Sequence, residues 1–220
     1  MTGLEKGKAL FEKQEFEKAI DELNNFLSTN ENNADALYTR AMCYRKTEAF
    51  DKSVEDLTAI LRRLPNEPTL LCDRGITHFH NKNFEAALKD MDKAVEIDPN
   101  NPYRYSSRAF IRAEIDINGA MEDYEKAIEL DPKDDISLNN LGLLQENAGN
   151  MKAAKKNYKK SDKIIGYNPE KRKGIQDNKT KKENVQDTQK ETFGKVILSI
   201  FSSKSTRNEY FKFLISLFKK

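Results

Sequence analysis

The strongest constraint on this chain is that it repeats itself. The segments FEKAIDELNNFL (16–27), FDKSVEDLTAIL (50–61) and FEAALKDMDKAV (84–95) begin at Phe16, Phe50 and Phe84, 34 residues apart each time. NGAMEDYEKAIELDP (118–132) continues the series, and a fifth unit, LNNLGLLQENAGNMKAAKKNYKKS, begins at Leu138. Pro65, Pro99 and Pro132 follow at spacings of 34 and then 33, so the fourth unit is one residue short. Such a chain makes one supersecondary element over and over, and no single copy can bury its apolar face alone. Neighbouring copies must stack.

Each unit reads as two helices. Glu67-Pro68 and Asn101-Pro102 put proline at a helix start, and Asp98-Pro99-Asn100 makes the turn before one. Asn81-Lys82-Asn83 and Ala148-Gly149-Asn150 read as tight turns within units, and the short fourth unit predicts a tightened turn around Asp116–Gly119. With the units aligned, position 8 is always small: Gly7, Ala41, Gly75, Ala109 and Gly142. So is position 20, with Ala19, Ser53, Ala87, Ala120 and Ala154, while position 24 carries Leu23, Leu57, Met91, Tyr124 and Tyr158. Small residues at two facing positions let antiparallel helices approach closely, and the larger ones fill the seam.

On these residues the chain resembles the tetratricopeptide-repeat (TPR) family, whose signature is this order of small, aromatic and proline positions. The resemblance covers about three quarters of the chain and departs at its two ends, where Glu31 and Gly166 stand at the proline position. It implies an all-α fold, a right-handed superhelical solenoid of five helix hairpins (about 1–33, 34–67, 68–101, 102–134 and 135–165). It also implies a protein–protein interaction scaffold or adaptor and not an enzyme.

Comparison between the units exposes a further pattern. Position 7, usually aliphatic, is Arg40, Arg74 and Arg108 in the three central units, and position 23 of the same units is Asp56, Asp90 and Asp123. The first unit has Lys6 with Glu22; the fifth has Leu141 with Asn157, where both charges vanish together. Antiparallel helices joined between positions 14 and 16 bring 7 close to 23, so an ion pair across each hairpin is expected.

Little in the sequence asks to be an active site. His78 and His80, the only histidines, are two residues apart and point away from each other on a helix, and Cys72 does not complete a metal site with them. There is no phosphate-binding glycine loop, CxxC or nucleophile elbow. No catalytic residue, cofactor or metal is expected. Two cysteines are too few for a disulfide framework, the N-terminal stretch lacks a signal-peptide core, and no apolar run reaches the ~18 residues of a membrane span. The expected location is cytoplasmic.

In solenoids of this family the first helix of each hairpin lines a concave groove, with positions 2, 5, 9 and 12 toward the ligand. Carried over, this assigns a partner-binding groove to Tyr38, Met42 and Arg45, then Cys72, Ile76 and Phe79, then Tyr103, Ser106 and Phe110, and last Ile136, Asn139 and Leu143. Position 9 is apolar in four consecutive units (Met42, Ile76, Phe110, Leu143), which suits an apolar segment of a partner polypeptide. The same residues suit packing between hairpins, and the sequence leaves both readings open. Family members that grip chaperone C-terminal tails use Lys and Asn at fixed groove positions. Here those positions hold Leu4, Lys8, Thr39, Thr69 and Asp73 or, one unit later, Tyr38, Met42, Asp73, Tyr103 and Ser107, which argues against that partner.

Charge divides the chain unevenly. Residues 1–165 hold 25 Lys+Arg against 30 Asp+Glu, and residues 166–220 hold 13 against 6. Residues 166–190 are almost devoid of apolar side chains and read as a charged flexible linker. Two apolar clusters follow, FGKVILSIF (193–201) and YFKFLISLF (210–218), predicting an apolar, basic C-terminal helical tail over 191–220. That tail is expected to bury itself on its own solenoid, on a membrane surface or on a partner; the membrane option makes a peripheral membrane adaptor the alternative function. Lacking a recognition fold, it is not expected to bind nucleic acid.

Overall fold

The computed structural model describes residues 1–167; the expected C-terminal tail and nearly all of the expected linker lie outside the described residues. Ten helices occupy the described residues, with no strand among them. They pair in sequence: α1 (Gly3–Glu12) with α2 (Phe16–Leu27), α3 (Ala34–Lys46) with α4 (Phe50–Leu61), α5 (Pro68–His80) with α6 (Phe84–Ile97), α7 (Pro102–Arg112) with α8 (Ile117–Leu130), and α9 (Asp135–Asn147) with α10 (Met151–Ile165). The second helix of each pair also packs on the first helix of the next, and α1 touches α3 as α5 touches α7. Five hairpins stack nearest neighbour on nearest neighbour.

Except at α2 and α4, helix starts are fixed by side chains that satisfy otherwise orphaned N–H groups. Thr2 and Glu5 form a reciprocal capping box on α1, and Asn33 accepts from the Ala36 N–H at the start of α3. Glu67 and Asn101 cap α5 and α7, each just before a proline in the first turn, and Asp134 caps α9.

The turns inside hairpins share one device, except in the fourth unit. Gln14, Glu48, Lys82 and Gly149 occupy equivalent positions and all have positive φ, 63°, 59°, 62° and 81°. The next residue reaches back five positions to close the helix: Glu15 N–H to Leu10 C=O, Ala49 to Tyr44, Asn83 to His78 and Asn150 to Gln145, at 2.7–3.0 Å. This is the left-handed helix ending that usually calls for glycine. The fourth unit has lost the left-handed residue. There α7 ends early at Arg112, the Asp116 N–H bonds the Arg112 carbonyl four residues back, and the Asp116 side chain caps α8 through the Gly119 N–H. The tightening thus falls at 113–116 and not at Asp116–Gly119.

Close approach of paired helices explains the small residues. A Cβ on Gly7 would sit 2.6 Å from Leu23 Cγ, and one on Gly142 2.6 Å from a ring carbon of Tyr158. Ala41, Ala109, Ala19, Ala87, Ala120 and Ala154 have no exposed surface.

Lys82 holds a left-handed conformation at a side-chain cost. Lys82→Gly is expected to raise the unfolding free energy by about 0.5–1 kcal/mol, checked by urea titration followed by circular dichroism.

Candidate functional site

The arginine ladder forms in all three central hairpins. Arg40 Nε and Nη2 donate to the two carboxylate oxygens of Asp56 at 2.8 and 2.7 Å; Arg74 meets Asp90 at the same distances, and Arg108 meets Asp123 at 2.8 and 2.6 Å. Lys6 pairs with Glu22 in the first hairpin. In the fifth, Leu141 is buried and Asn157 donates to Gln145 instead, at 2.9 Å.

Each arginine does more than the sequence pattern foretold. Its remaining Nη1 reaches the preceding hairpin: Arg40 to Asn24 at 2.7 Å, Arg74 to Thr58 at 3.0 Å, Arg108 to Asp92 at 2.8 Å. One guanidinium therefore ties three helices, two of its own hairpin and one of the hairpin before. The third partner was findable, since Asn24, Thr58 and Asp92 each lie 16 residues before their arginine.

The aspartates are buried and the arginines only slightly exposed. The hydrogen bonds to Asp56 raise Arg40 above its usual range, while burial raises the Asp56 carboxyl against the pull of Arg40. Burial thus weighs on the carboxylate, and the fork geometry is what keeps the pair together.

The face built from α3, α5, α7 and α9 carries the residues expected in a groove. Met42, Cys72, Ile76 and Phe79 are buried and belong to the core cluster. Tyr38, Arg45, Tyr103, Ser106, Phe110, Ile136 and Leu143 are half-buried, and Asn139 is exposed. Aromatic contacts run within and between hairpins: the Phe79 ring lies 5.7 Å from Phe84 of its own hairpin and 5.0 Å from Phe110 of the next, edge-on to both. His80 stacks on Phe50, and burial lowers its pKa, as it does that of His78.

The sequence did not reveal the polar hub of this face. Asp73, buried on α5, accepts from the Tyr38 hydroxyl at 3.0 Å and from Arg45 Nη1 at 3.1 Å, so Arg45 offsets its charge. Arg104, at the start of α7, donates to Thr69 at 3.2 Å, to Asp98 at 3.2 Å and to Cys72 Sγ at 3.7 Å. Burial pushes the Cys72 thiol up to about 11 and the Cys43 thiol up to about 12. A separate cleft of about 780 Å³ lies between α4 and α6, lined by Thr58, Leu61, Leu88 and charges of both signs. It shares no residue with the expected groove.

The repeat is also recognised residue by residue. Tetratricopeptide-repeat profiles match residues 4–68, 68–101 and 136–167, and a TPR repeat profile matches 116–149. The chain belongs to the tetratricopeptide-repeat family. No curated protein matches it by sequence. Among solved TPR-type structures, MamA is 21% identical with a TM-score of 0.64, over 76% of this chain and 96% of MamA. YrrB, described as a TPR protein with an unusual peptide-binding site, is 19% identical at 0.58, over 74% of this chain and 85% of its own. A thermophilic TPR protein from Thermus thermophilus is 17% identical at 0.60, over 78% of this chain and 94% of its own. At these identities the likeness is one of fold.

Asp90→Ala strands Arg74 and is expected to lower the unfolding free energy by about 3 kcal/mol. Arg74→Leu combined with Asp90→Asn, which copies the fifth hairpin, is expected to recover most of that loss. Urea titrations by circular dichroism check both, the chain having no Trp.

Proposed function

We propose that this TPR protein is an interaction scaffold that holds a peptide segment of a partner protein against the face built from α3, α5, α7 and α9. TPR proteins are in general interaction scaffolds and not enzymes, and YrrB has a peptide-binding site. The observation that carries the reading is the composition of that face: Tyr38, Tyr103, Phe110 and Leu143 are large, apolar or aromatic and half-buried, with Ser106 and exposed Asn139 beside them. Apolar anchors with sparse hydrogen-bonding groups suit an extended or helical peptide. Met42, Cys72, Ile76 and Phe79 would support these anchors from below. The free, buried cysteines suit a reducing, cytoplasmic setting.

Peptide selection by phage display on the whole chain tests the reading. Asn139→Lys with Leu143→Asp should weaken the selected peptides by at least about tenfold while helicity by circular dichroism is kept. Met42→Asp and Ile76→Asp should instead lose the fold, since both side chains lie in the core. Selection of no peptide, or of peptides indifferent to the Asn139 and Leu143 changes, would overturn it.

A further inference from the structure

The last helix among the described residues, α10, differs from the other second helices of the hairpins. α2, α4, α6 and α8 each carry more acidic than basic residues. α10 carries Lys152, Lys155, Lys156, Lys159, Lys160 and Lys163 against the single Asp162. Residues 1–150 hold 19 Lys+Arg and 29 Asp+Glu, a net of −10, so a helix of net +5 closes an acidic solenoid.

Its geometry gathers this charge on one side. At about 100° per residue the six lysines fall within an arc of about 140°. The buried residues of α10, Ala154, Asn157 and Ser161, lie opposite, against α9. All six lysines are exposed, and none makes an ion pair among the described residues. A terminal hairpin needs a polar outer face for solubility, but that need does not require charges of one sign. The preceding second helices are polar without it.

Apolar side chains accompany the lysines. Met151 and Ile164, both exposed, flank the lysine arc on its two sides, each about 40° beyond its edge. Ile165 and Tyr167 are exposed at the C-terminal end of the helix. We infer that the outer face of α10 docks on an anionic lipid bilayer. From Lys152 to Lys163 the ridge runs about 17 Å along the helix, a linear row of charges that suits a flat sheet of phosphate headgroups. Lysine ammoniums meet that surface as point charges, Tyr167 at the end of the helix reaches the headgroup level, and Met151 and Ile164 lie along the flanks of the contact. Nucleic acid fits less well: the lysine arc has no Arg, Asn or Gln to read bases. The acidic residues 1–150 are repelled by the same surface, so the solenoid docks through α10 and not through its earlier hairpins. Screening beyond about 8 Å confines the attraction to the ridge itself.

Co-sedimentation of the whole chain with vesicles tests this. The chain should bind phosphatidylcholine–phosphatidylserine vesicles and not phosphatidylcholine alone. Lys155→Gln, Lys159→Gln and Lys163→Gln together should lower the partition coefficient by about a hundredfold. The same charge change spread over exposed Lys13, Lys89 and Lys133 should alter it by no more than about twofold. Equal losses from both triples would mean that net charge alone matters and would overturn the inference. So would no loss from the α10 triple, since binding would then reside elsewhere in the chain. A tighter, equally lysine-sensitive complex with RNA or duplex DNA would reassign the ridge. Peptide binding at the α3–α9 face should survive the α10 triple, so either reading can fail while the other stands.

Discussion

Everything in this solenoid depends on joining units that cannot fold alone, and the guanidinium at position 7 is the most specific of those joints. Apolar burial between hairpins is strong but non-directional. The arginine fork supplies direction: two donors fix the aspartate of its own hairpin, and the third reaches one set residue of the hairpin before. A slip of one helix past another would break all three bonds at once and leave a buried carboxylate unpaired. The repeat thus carries a registration device in its middle, where neighbours lie on both sides. It is replaced at the ends, by the Lys6–Glu22 pair at one and by Leu141 and Asn157 at the other.

Much of the fold was legible because the same solution is written five times. Phe16, Phe50 and Phe84 gave the period, the small residues at position 8 gave the helix contact, and the paired loss of charge at Leu141 and Asn157 exposed the ion pairs. The left-handed turn residues were hidden, because Gln14, Glu48 and Lys82 stand where only Gly149 carries the usual glycine signal. The hub at Asp73 was hidden for another reason. It joins Tyr38 and Arg45 of one unit to a residue of the next and has no counterpart in the other repeats, so comparison between units cannot reveal it. The ridge on α10 was obscured by averaging: charge summed over residues 1–165 cancels a basic helix against an acidic body.

For the inner face, the repeat register identified candidate positions without their depth. Stacking draws position 9 into the core at Met42 and Ile76 but leaves Phe110 and Leu143 half-buried. Which of a stripe's residues face outward depends on how large the neighbouring side chains are, and Phe79 leaning on Phe110 is one such neighbour. Periodicity knows angle around a helix, not what stands in the way.

The fourth hairpin, one residue short, also divides the interior. Ile111 belongs to the cluster that runs back through α1–α6, whereas Ala109 groups with Ala120, Tyr124, Leu141 and Leu144. In a quasi-one-dimensional array cooperativity passes only from one hairpin to its neighbours, and a core split into two clusters passes it less completely. The fourth and fifth hairpins, whose α7, α8 and α9 share that second cluster, would then unfold as a unit partly separate from the hairpins before them, and the molecule would denature in two steps.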